Sequence, residues 1–442
     1  MRGMTYRPRP VSGFPEHLPE IRMVELHMLD RIRATFESYG FAPIETPSVE
    51  ELEVLLAKGE TEKEVYTIER LQADPDAPVE ARLGLHYDLT VPFARYVAQH
   101  FNDLVFPFKR YQMQRVWRGD RPQAGRFREF TQCDVDVIGI DNLAVTFDAE
   151  LAALAMEAVD AIGVSGVTLH ISNRKILDGF LQGLRLEPAD RVMVIRAIDA
   201  LHKVGGDQTE AVIGSSLLDL ADRHTIARKA VLLACIVTSG TDLAERVNAL
   251  EVEHPVLEAG LAELSQVMVH LRSLGSANIV ADLSIARGFD YYTGTVYEGR
   301  FDDAPGFGSV VAGGRYDDLA GAFINKKLPG VGISIGFSRL FAKLLQDGKL
   351  KSERRSPADI LVVLPAEDRR ALALTTAQAL RKRGFRVETY HAPQKVGRQL
   401  SYAEKKGIPF VWFPPFEDGR PHEVKDMASG AQNPADLDSW SA

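Results

Sequence analysis

Apolar residues recur at Ile21, Val24, Met28, Leu29, Ile32 and Phe36, a helical spacing that predicts an amphipathic helix over residues 18–39 after an extended, Pro-rich arm. The following "YGFAPIETPSVE" turns at Gly40 into a short strand that Pro47 stops. Four later segments combine strand-like alternation with Gly and Pro turns: "RLGLHYDLTVPFARYVAQH", "FPFKRYQMQRVWRGDRPQAGRFREFTQCDVDVIGI", "IVADLSIARGFDYYTGTVYEGRF" and "GVGISIGFSRLFAKLL". They predict an antiparallel sheet carrying interleaved helices. Residues 184–274 are Ala/Leu-rich with few aromatics and helical in period, so a helical insertion is expected between two sheet-forming halves. "DGKLKSERRSPAD" at 347–359, charged and containing Pro357, reads as a linker. Beyond it, "DILVVLP", "RVETY" and "PFVWF" alternate with helical runs and predict a small α/β domain with a mainly parallel sheet; the closing "NPADLDSWSA" reads as a polar tail.

Composition narrows the class. A chain of 442 residues, 45% of them apolar, can bury a large core and divide into two or three domains. No apolar run approaches the roughly 20 residues of a membrane span, and the N-terminal stretch lacks the apolar region of a signal peptide, so a cytoplasmic protein with no membrane partner is expected. The two cysteines, Cys133 and Cys235, stand far apart without metal-site spacing, which argues against a disulfide framework and a structural zinc. No metal ligands are assigned.

A net charge of −9 speaks against nonspecific nucleic-acid binding, yet two windows are basic. Lys109 to Arg128 carries seven Lys/Arg against Asp120, and Arg369 to Gly407 carries ten Lys/Arg against Glu388 and Glu404. Singly each is a solvated face; together they suggest two contact patches for one long polyanion. Alternation on both sides of the loop in "YQMQRVWRGDRPQAGRFREFTQCDVDVIG" predicts two paired strands. They form either an edge hairpin with exposed arginines or a pocket floor into which Arg118 and Gln132 both point. Arg339 stands at a Gly-rich strand-to-helix junction, where a planar fork of donors suits phosphate.

These segments jointly carry a resemblance. The chain resembles a class II aminoacyl-tRNA synthetase, specifically the histidyl-tRNA synthetase family, over almost its whole length. The first helix with "YGFAPIETP" is similar to motif 1, which builds the dimer interface in that family; "RVWRGDRPQAGRFREFTQ" resembles motif 2 and "GVGISIGFSRL" motif 3. "LHYDLTVP", "ARGFDYYTG" and "GGRYDDL" resemble the family's histidine-binding elements, which sister synthetases for glycine, threonine or proline do not share. The resemblance implies a catalytic domain of the class II antiparallel type in two parts, 1–183 and 275–346, interrupted by an insertion at 184–274. A linker over 347–357 then leads to an anticodon-binding domain at 358–442.

It also implies roles. Arg118 and Arg287 flank the α-phosphate at which a carboxylate is joined to ATP, Arg287 replacing the metal ion other class II enzymes use there. Asp88, Thr90 and Gln132 meet the α-amino group of L-histidine and Asp136 a ring nitrogen, while Tyr291, Tyr292 and Tyr316 wall the imidazole; Arg287 counts among the histidine-binding residues as well, and Arg118 among the ATP-binding ones. Asp120, Arg126 and Arg339 belong to the ATP subsite, with Mg²⁺ on the outer phosphates. Arg121 and Gln123 approach the acceptor end of histidine tRNA; Arg398, Gln399 and Lys405 approach its anticodon. A homodimer is implied. No general base is evident, and adenylation needs none. Three positions depart from the family pattern, His86, Phe14 and Glu16. The competing reading is a noncatalytic paralogue that serves ATP phosphoribosyltransferase as a histidine sensor. Such paralogues usually lack the C-terminal domain and lose active-site residues, whereas this chain keeps Arg118, Arg287 and the basic α/β domain.

Overall fold

The computed structural model describes residues 7–57, 64–69, 82–286, 292–318, 320–350, 352, 354–415, 417 and 419–442. They divide into two compact units, one of Met1–Pro15 with Asp30–Lys343 and one of Glu16–Leu29 with Leu344–Ala442. The helix Pro19–Ser38 belongs partly to each.

In chain order the strands of the first unit are β1 (Ala42–Pro43), β2 (Val49–Glu51), β3 (Tyr66–Ile68), β4 (Leu83–Leu85), β5 (Phe108–Trp117), β6 (Glu129–Ile138), β7 (Val167–Asn173), β8 (Val237–Thr238), β9 (Ile279–Asp282), β10 (Thr295–Phe301), β11 (Val311–Tyr316) and β12 (Gly330–Ile335). Nine of them form one sheet, in the order β1-β5-β6-β12-β11-β10-β7-β9-β8; β2, β4 and β3 form a small separate one. The large sheet is antiparallel except where β1 joins β5 and β9 joins β7. Its longest pairing is the β5–β6 hairpin, unbroken from Phe108↔Ile138 to Trp117↔Glu129.

Alternation gives this sheet two unlike faces. Cys133, Val135 and Val137 of β6 are fully buried, and Val137 neighbours Val331 of β12, which neighbours Arg315 of β11. That face lies against the helix Thr146–Ala161, to which Arg315 is tied: its Nε donates to Asp148 Oδ1 at 3.1 Å and its Nη1 and Nη2 donate to the carbonyls of Leu143 and Ala144, each at 3.1 Å. A buried arginine with this many acceptors is satisfied as well as packed. The opposite face carries Gln132, Asp134 and Asp136.

The region expected to be a helical insertion holds helices Pro188–Asp199, Leu201–Val204, Gly206–Ser216, Arg223–Ala234, Leu243–Asn248 and Pro255–Ser273. It also supplies β8, which closes the edge of the large sheet beside β9, and its last helix packs on the helices Arg174–Gly183 and Thr146–Ala161.

In the second unit β13 (Ile360–Val362), β14 (Val387–Thr389), β15 (Phe410–Phe413), β16 (His422–Asp426) and β17 (Gln432–Ala435) make a sheet in the order β14-β13-β15-β16-β17. The first three run parallel and the last two add an antiparallel hairpin. The expected polar tail is not a tail. Within it Leu437 and Trp440 are apolar anchors three residues apart. The Trp440 ring lies 5.3, 5.2 and 5.4 Å from the rings of Phe385, Phe410 and Trp412, and the Leu437 carbonyl accepts from Arg383 Nη1 at 2.6 Å. Burial of two large side chains outweighs the polar composition around them. Among the described residues no helix is long and apolar enough to cross a membrane.

Candidate active site

The polar face of β6 is a row of three side chains, and its cross-strand partners determine what each can do. Gln132 faces Gln114, Asp134 faces Gln112, and Asp136 faces Arg110 on β5; on β12, Ser334 lies beside Asp134 and Gly332 beside Asp136. Asp136 is paired with Arg110 at 2.6 Å and accepts from the Tyr316 hydroxyl at 3.0 Å. Arg110 is itself fully buried, its guanidinium 4.1 Å from the centre of the Phe93 ring. The cation and the phenol hold Asp136 in one orientation.

Two glycines make this possible. A Cβ on Gly332 would fall 2.0 Å from Asp136 Oδ1, and one on Gly330 would fall 2.3 Å from the Tyr316 ring. The "GVG" of β12 is therefore room for the acid and for the ring that binds it.

Asp134 is the strained member of the row. Burial pushes its carboxyl up to about 7, helped by Asp136 and Asp88 and opposed by Arg110 and a hydrogen bond from Ser334. Among the described residues its Oδ1 has no partner, and neither has Gln132 Oε1, although Gln132 Nε2 donates to Ser334 Oγ at 2.8 Å. The Tyr292 and Tyr316 phenols are raised by burial and by the Asp136 charge, so both act as hydrogen-bond donors.

Two adjoining cavities open on this face, sharing Ala312 and Ser334. The larger, about 360 Å³, is lined by Arg118, Asp120, Arg126, Phe130, Gln132 and Arg339 among others. The smaller, about 30 Å³, lies among Thr90, Asp134, Asp136, Tyr292, Tyr316 and the glycines of β11 and β12. That volume is about one water molecule's share of the liquid.

The arginines of the larger cavity are fixed in different ways. Arg118 Nε donates to the Tyr87 carbonyl at 2.9 Å and its guanidinium lies 5.1 Å from the centre of the Phe130 ring; its terminal nitrogens have no protein partner among the described residues. Arg126 makes a two-pronged pair with Asp120, at 2.7 and 3.1 Å, so Asp120 acts on the cavity through that arginine. Arg339 donates to the carbonyls of Gly125 and Ser309 at 3.0 and 2.9 Å, which ties the helix Phe337–Gln346 to the loop after β5.

Comparison with known proteins bears on what such a site serves. A family model described as "Histidyl-tRNA synthetase" matches residues 13–340, and one described as "Anticodon binding domain" matches residues 359–439. The chain is 58% identical to the histidine–tRNA ligase of Thermobifida fusca over 98% of each sequence, and 46% identical to that of Micrococcus luteus over 97% of this chain and 95% of the relative. The crystal structure of histidyl-tRNA synthetase from a Nostoc species superimposes with a TM-score of 0.87 at 37% identity, covering 98% of both chains. The chain belongs to the histidyl-tRNA synthetase family.

Against the residues that the family resemblance singles out, the structure brings Gln132, Asp136, Thr90, Tyr292 and Tyr316 around the smaller cavity and its border, and Arg118, Asp120, Arg126 and Arg339 around the larger. Asp88 stands at the start of the helix Thr90–Gln99, where its Oδ1 accepts from Val91 N at 3.0 Å. Arg287 and Tyr291 lie outside the described residues. Arg121 and Gln123 are exposed on the loop between β5 and β6, and Arg398 and Lys405 are exposed on the helix Val396–Lys406. Gln399 is a correction. It is fully buried, its Oε1 accepts from Leu364 N at 2.8 Å, and its Nε2 donates to the Leu364 and Gln394 carbonyls at 2.9 and 2.7 Å. A carboxamide used on every side cannot read a base, so Gln399 anchors its helix to the sheet.

His86, where the family commonly has Arg, is fully buried and 5.5 Å from Trp117, ring centre to ring centre; burial lowers its pKa. Its Nε2 lies 2.7 Å from the Arg115 carbonyl, which can only accept, so the proton is on Nε2 and the ring is neutral. It joins the segment after β4 to β5 and does not face the cavities' linings. Phe14 lies in a turn closed by its N–H on the Val11 carbonyl, and Glu16 is exposed. Arg110, Asp134 and Ser334 were not anticipated. The two-residue period of "TQCDVDV" already puts Asp134 on the face of Gln132 and Asp136, which is the signal that would have found it.

Proposed function

We infer that the chain activates L-histidine with ATP to histidyl-adenylate and pyrophosphate and then transfers the histidyl group to the 3′ end of histidine tRNA. The observation that carries this reading is the pair of adjoining cavities, one with three arginines on its wall and one walled by acids and tyrosines. A carboxylate and a triphosphate meeting at their border would react there. In that step a histidine carboxylate oxygen bonds to the α-phosphorus and the bond from that phosphorus to the bridging oxygen breaks, so that pyrophosphate leaves with the electron pair. Arg118, oriented by Tyr87 and Phe130, presents fixed donors to the charge that develops. Arg287 opposite it, and Tyr291 beside the imidazole, rest on the family motif "ARGFDYYTG" alone.

Asp136 takes a ring N–H of the substrate, and Asp88, Thr90 and Gln132 take the α-ammonium. Arg126 and Arg339 receive the outer phosphates. Mg²⁺, if bound with ATP, would neutralise charge on the outer phosphates beside Arg126 and Arg339. Arg121 and Gln123 meet the acceptor end of the tRNA, and Arg398 and Lys405 its anticodon arm. Residues 1–183 and 275–346 form the catalytic domain, 184–274 an insertion in it, and 358–442 the anticodon-binding domain. The enzyme works in the cytoplasm as a homodimer.

Pyrophosphate exchange into ATP with each amino acid in turn is the test. Exchange with histidine alone, followed by charging of histidine tRNA, is expected. Exchange with a different amino acid, or binding of histidine without exchange, would replace this reading with a sister synthetase or with the sensor paralogue.

A further inference from the structure

The row on β6 contains one carboxylate for which the reading above has no task. Asp134 lies between Gln132 and Asp136, its Oδ1 is buried without a hydrogen-bond partner among the described residues, and it lines the smaller cavity next to Ser334. Two residues away, Gln132 Oε1 is also buried and unpartnered. Buried acceptors of this kind are rare in folded proteins and each costs stability unless something donates to it. Here two such acceptors stand on the same face of one strand, at the border between the cavities, and both lack only a donor.

The surroundings identify which donor. An ammonium carries three N–H groups and a positive charge, and the groups packed around Asp134 include Asp136 on its own strand and Asp88 before the helix Thr90–Gln99. Against these acids stands Arg110 on β5, already engaged by Asp136 at 2.6 Å; Ser334 on β12 and the protonated phenol of Tyr292 complete the neighbours. Burial first, and then two neighbouring acids against a single cation, favour a proton on Asp134 in the empty site. A bound cation would favour the charged form instead.

We propose that Asp134 is a substrate-positioning residue that receives the α-ammonium of histidine together with Gln132, releasing its own proton to solvent as the amino acid binds. The inference rests on the functional reading above and adds to it a residue and a proton. The step balances: the Asp134 O–H bond breaks, its proton leaves to water, and an ammonium N–H from the substrate occupies the oxygen that becomes charged. With the carboxyl at about 7 in the empty site, roughly half a proton is released per histidine bound at pH 7, and almost none at pH 9. Affinity for histidine therefore gains on going from pH 6 to pH 8 beyond what the substrate's own imidazole accounts for.

Calorimetric titration of the full-length protein tests this. L-Histidine and its des-amino analogue, 3-(imidazol-4-yl)propanoate, are titrated in two buffers of different ionisation enthalpy at pH 7, for the wild type and for Asp134→Asn. The expected result, once each ligand's own imidazole titration is subtracted, is proton release of about half an equivalent with histidine and none with the analogue, abolished by Asp134→Asn. The substitution should weaken histidine about 10- to 100-fold, the range for losing a hydrogen bond to a charged group, and leave the analogue's affinity unchanged. Equal loss for both ligands, unchanged histidine affinity, or proton release that persists in Asp134→Asn would overturn the proposal. Should the variant fail to fold, the wild-type comparison of the two ligands, each corrected for its own imidazole titration, decides: excess release with both, or with neither, refutes it. A wild type that binds no histidine refutes the functional reading instead and is recognised by the absence of heat at every pH.

Discussion

A close fit inside the site makes the sharpest prediction: Gly332→Ala should cost both stability and histidine binding. Gly332 on β12 is registered against Asp136 of β6, and the added methyl would lie 2.0 Å from Oδ1 and 2.7 Å from Cγ of that aspartate. Carbon atoms do not approach so closely, so the carboxylate must move by about 1 Å or more. It is not a loose side chain, because Arg110 holds one oxygen at 2.6 Å and Tyr316 the other at 3.0 Å, and only 6% of it is exposed. If Asp136 rotates away, a buried ion pair is broken, which costs about 3–5 kcal/mol. If the strands part instead, overpacking costs about 1–3 kcal/mol. A loss of about 1–5 kcal/mol covers both routes.

Binding is affected separately. With Asp136 displaced, the imidazole loses a charge-assisted hydrogen bond and histidine affinity falls about 10- to 100-fold, while ATP, which meets the arginine-lined cavity, is little changed. Val135→Ala serves as the control. Val135 is fully buried on the opposite face of the same strand, and its truncation should cost about 2 kcal/mol without touching either ligand. Urea denaturation followed by circular dichroism measures the first effect and calorimetric titration the second. A Gly332→Ala protein of wild-type stability with undiminished histidine binding would refute the register on which the argument stands. Comparable losses in both variants would mean that histidine binding merely follows stability.

Arg118→Ala and Arg287→Ala should each reduce histidine-dependent pyrophosphate exchange on the order of 10²–10³ with little change in histidine affinity, the scale for one preorganised donor at a charged transition state; near-normal exchange in either would remove that arginine from the chemistry. Arg398→Glu combined with Lys405→Glu, both on an exposed helix face, should raise the Michaelis constant for tRNA about tenfold and leave exchange unaltered, since contacts to a phosphate backbone position the nucleic acid and do no chemistry. An equal fall in exchange would contradict that division of labour. Asp134 has its folded pKa raised from the ordinary carboxylate range to about 7, so the stability it allows is intact below about pH 4 and is lost as pH rises through 7. The shift of about three units corresponds to at most about 4 kcal/mol, so Asp134→Asn should raise the melting temperature of the ligand-free protein at pH 8 and not at pH 4; a uniform shift at both would assign the effect to packing.

Much of this was legible in the sequence because period and turn chemistry are local. The ten-residue alternation on either side of "RGDRPQAG" gives the β5–β6 hairpin and its polar face, and helical spacing gives the helix Pro19–Ser38. What was not legible depends on partners far along the chain. Gln399 looked like an exposed polar residue between Arg398 and Leu400, but the Leu364 backbone claims its amide. The C-terminal run was polar on average, and only docking against Phe385, Phe410 and Trp412 shows Trp440 to be part of a core. Arg110 read as one more cation in a basic window. Its burial follows from pairing with Asp136, twenty-six positions away in sequence and opposite it across the hairpin.

The polar row on β6 also explains why this face is less stable than it could be. A sheet centre lined with Val and Ile at the positions of Gln132, Asp134 and Asp136 would bury apolar area and leave no acceptor unsatisfied, as the reverse face of the same strands does. Instead one acid is neutralised by a buried arginine, one retains its proton, and a carboxamide oxygen points at nothing. Each is an unfavourable arrangement in the empty protein and a favourable one around a ligand that brings an imidazole N–H and an ammonium. On the proposed reading of the site, the deficit is matched group by group to histidine. A ligand missing either donor leaves one acceptor buried and unsatisfied, and discrimination follows from what remains unpaired more than from what is gained.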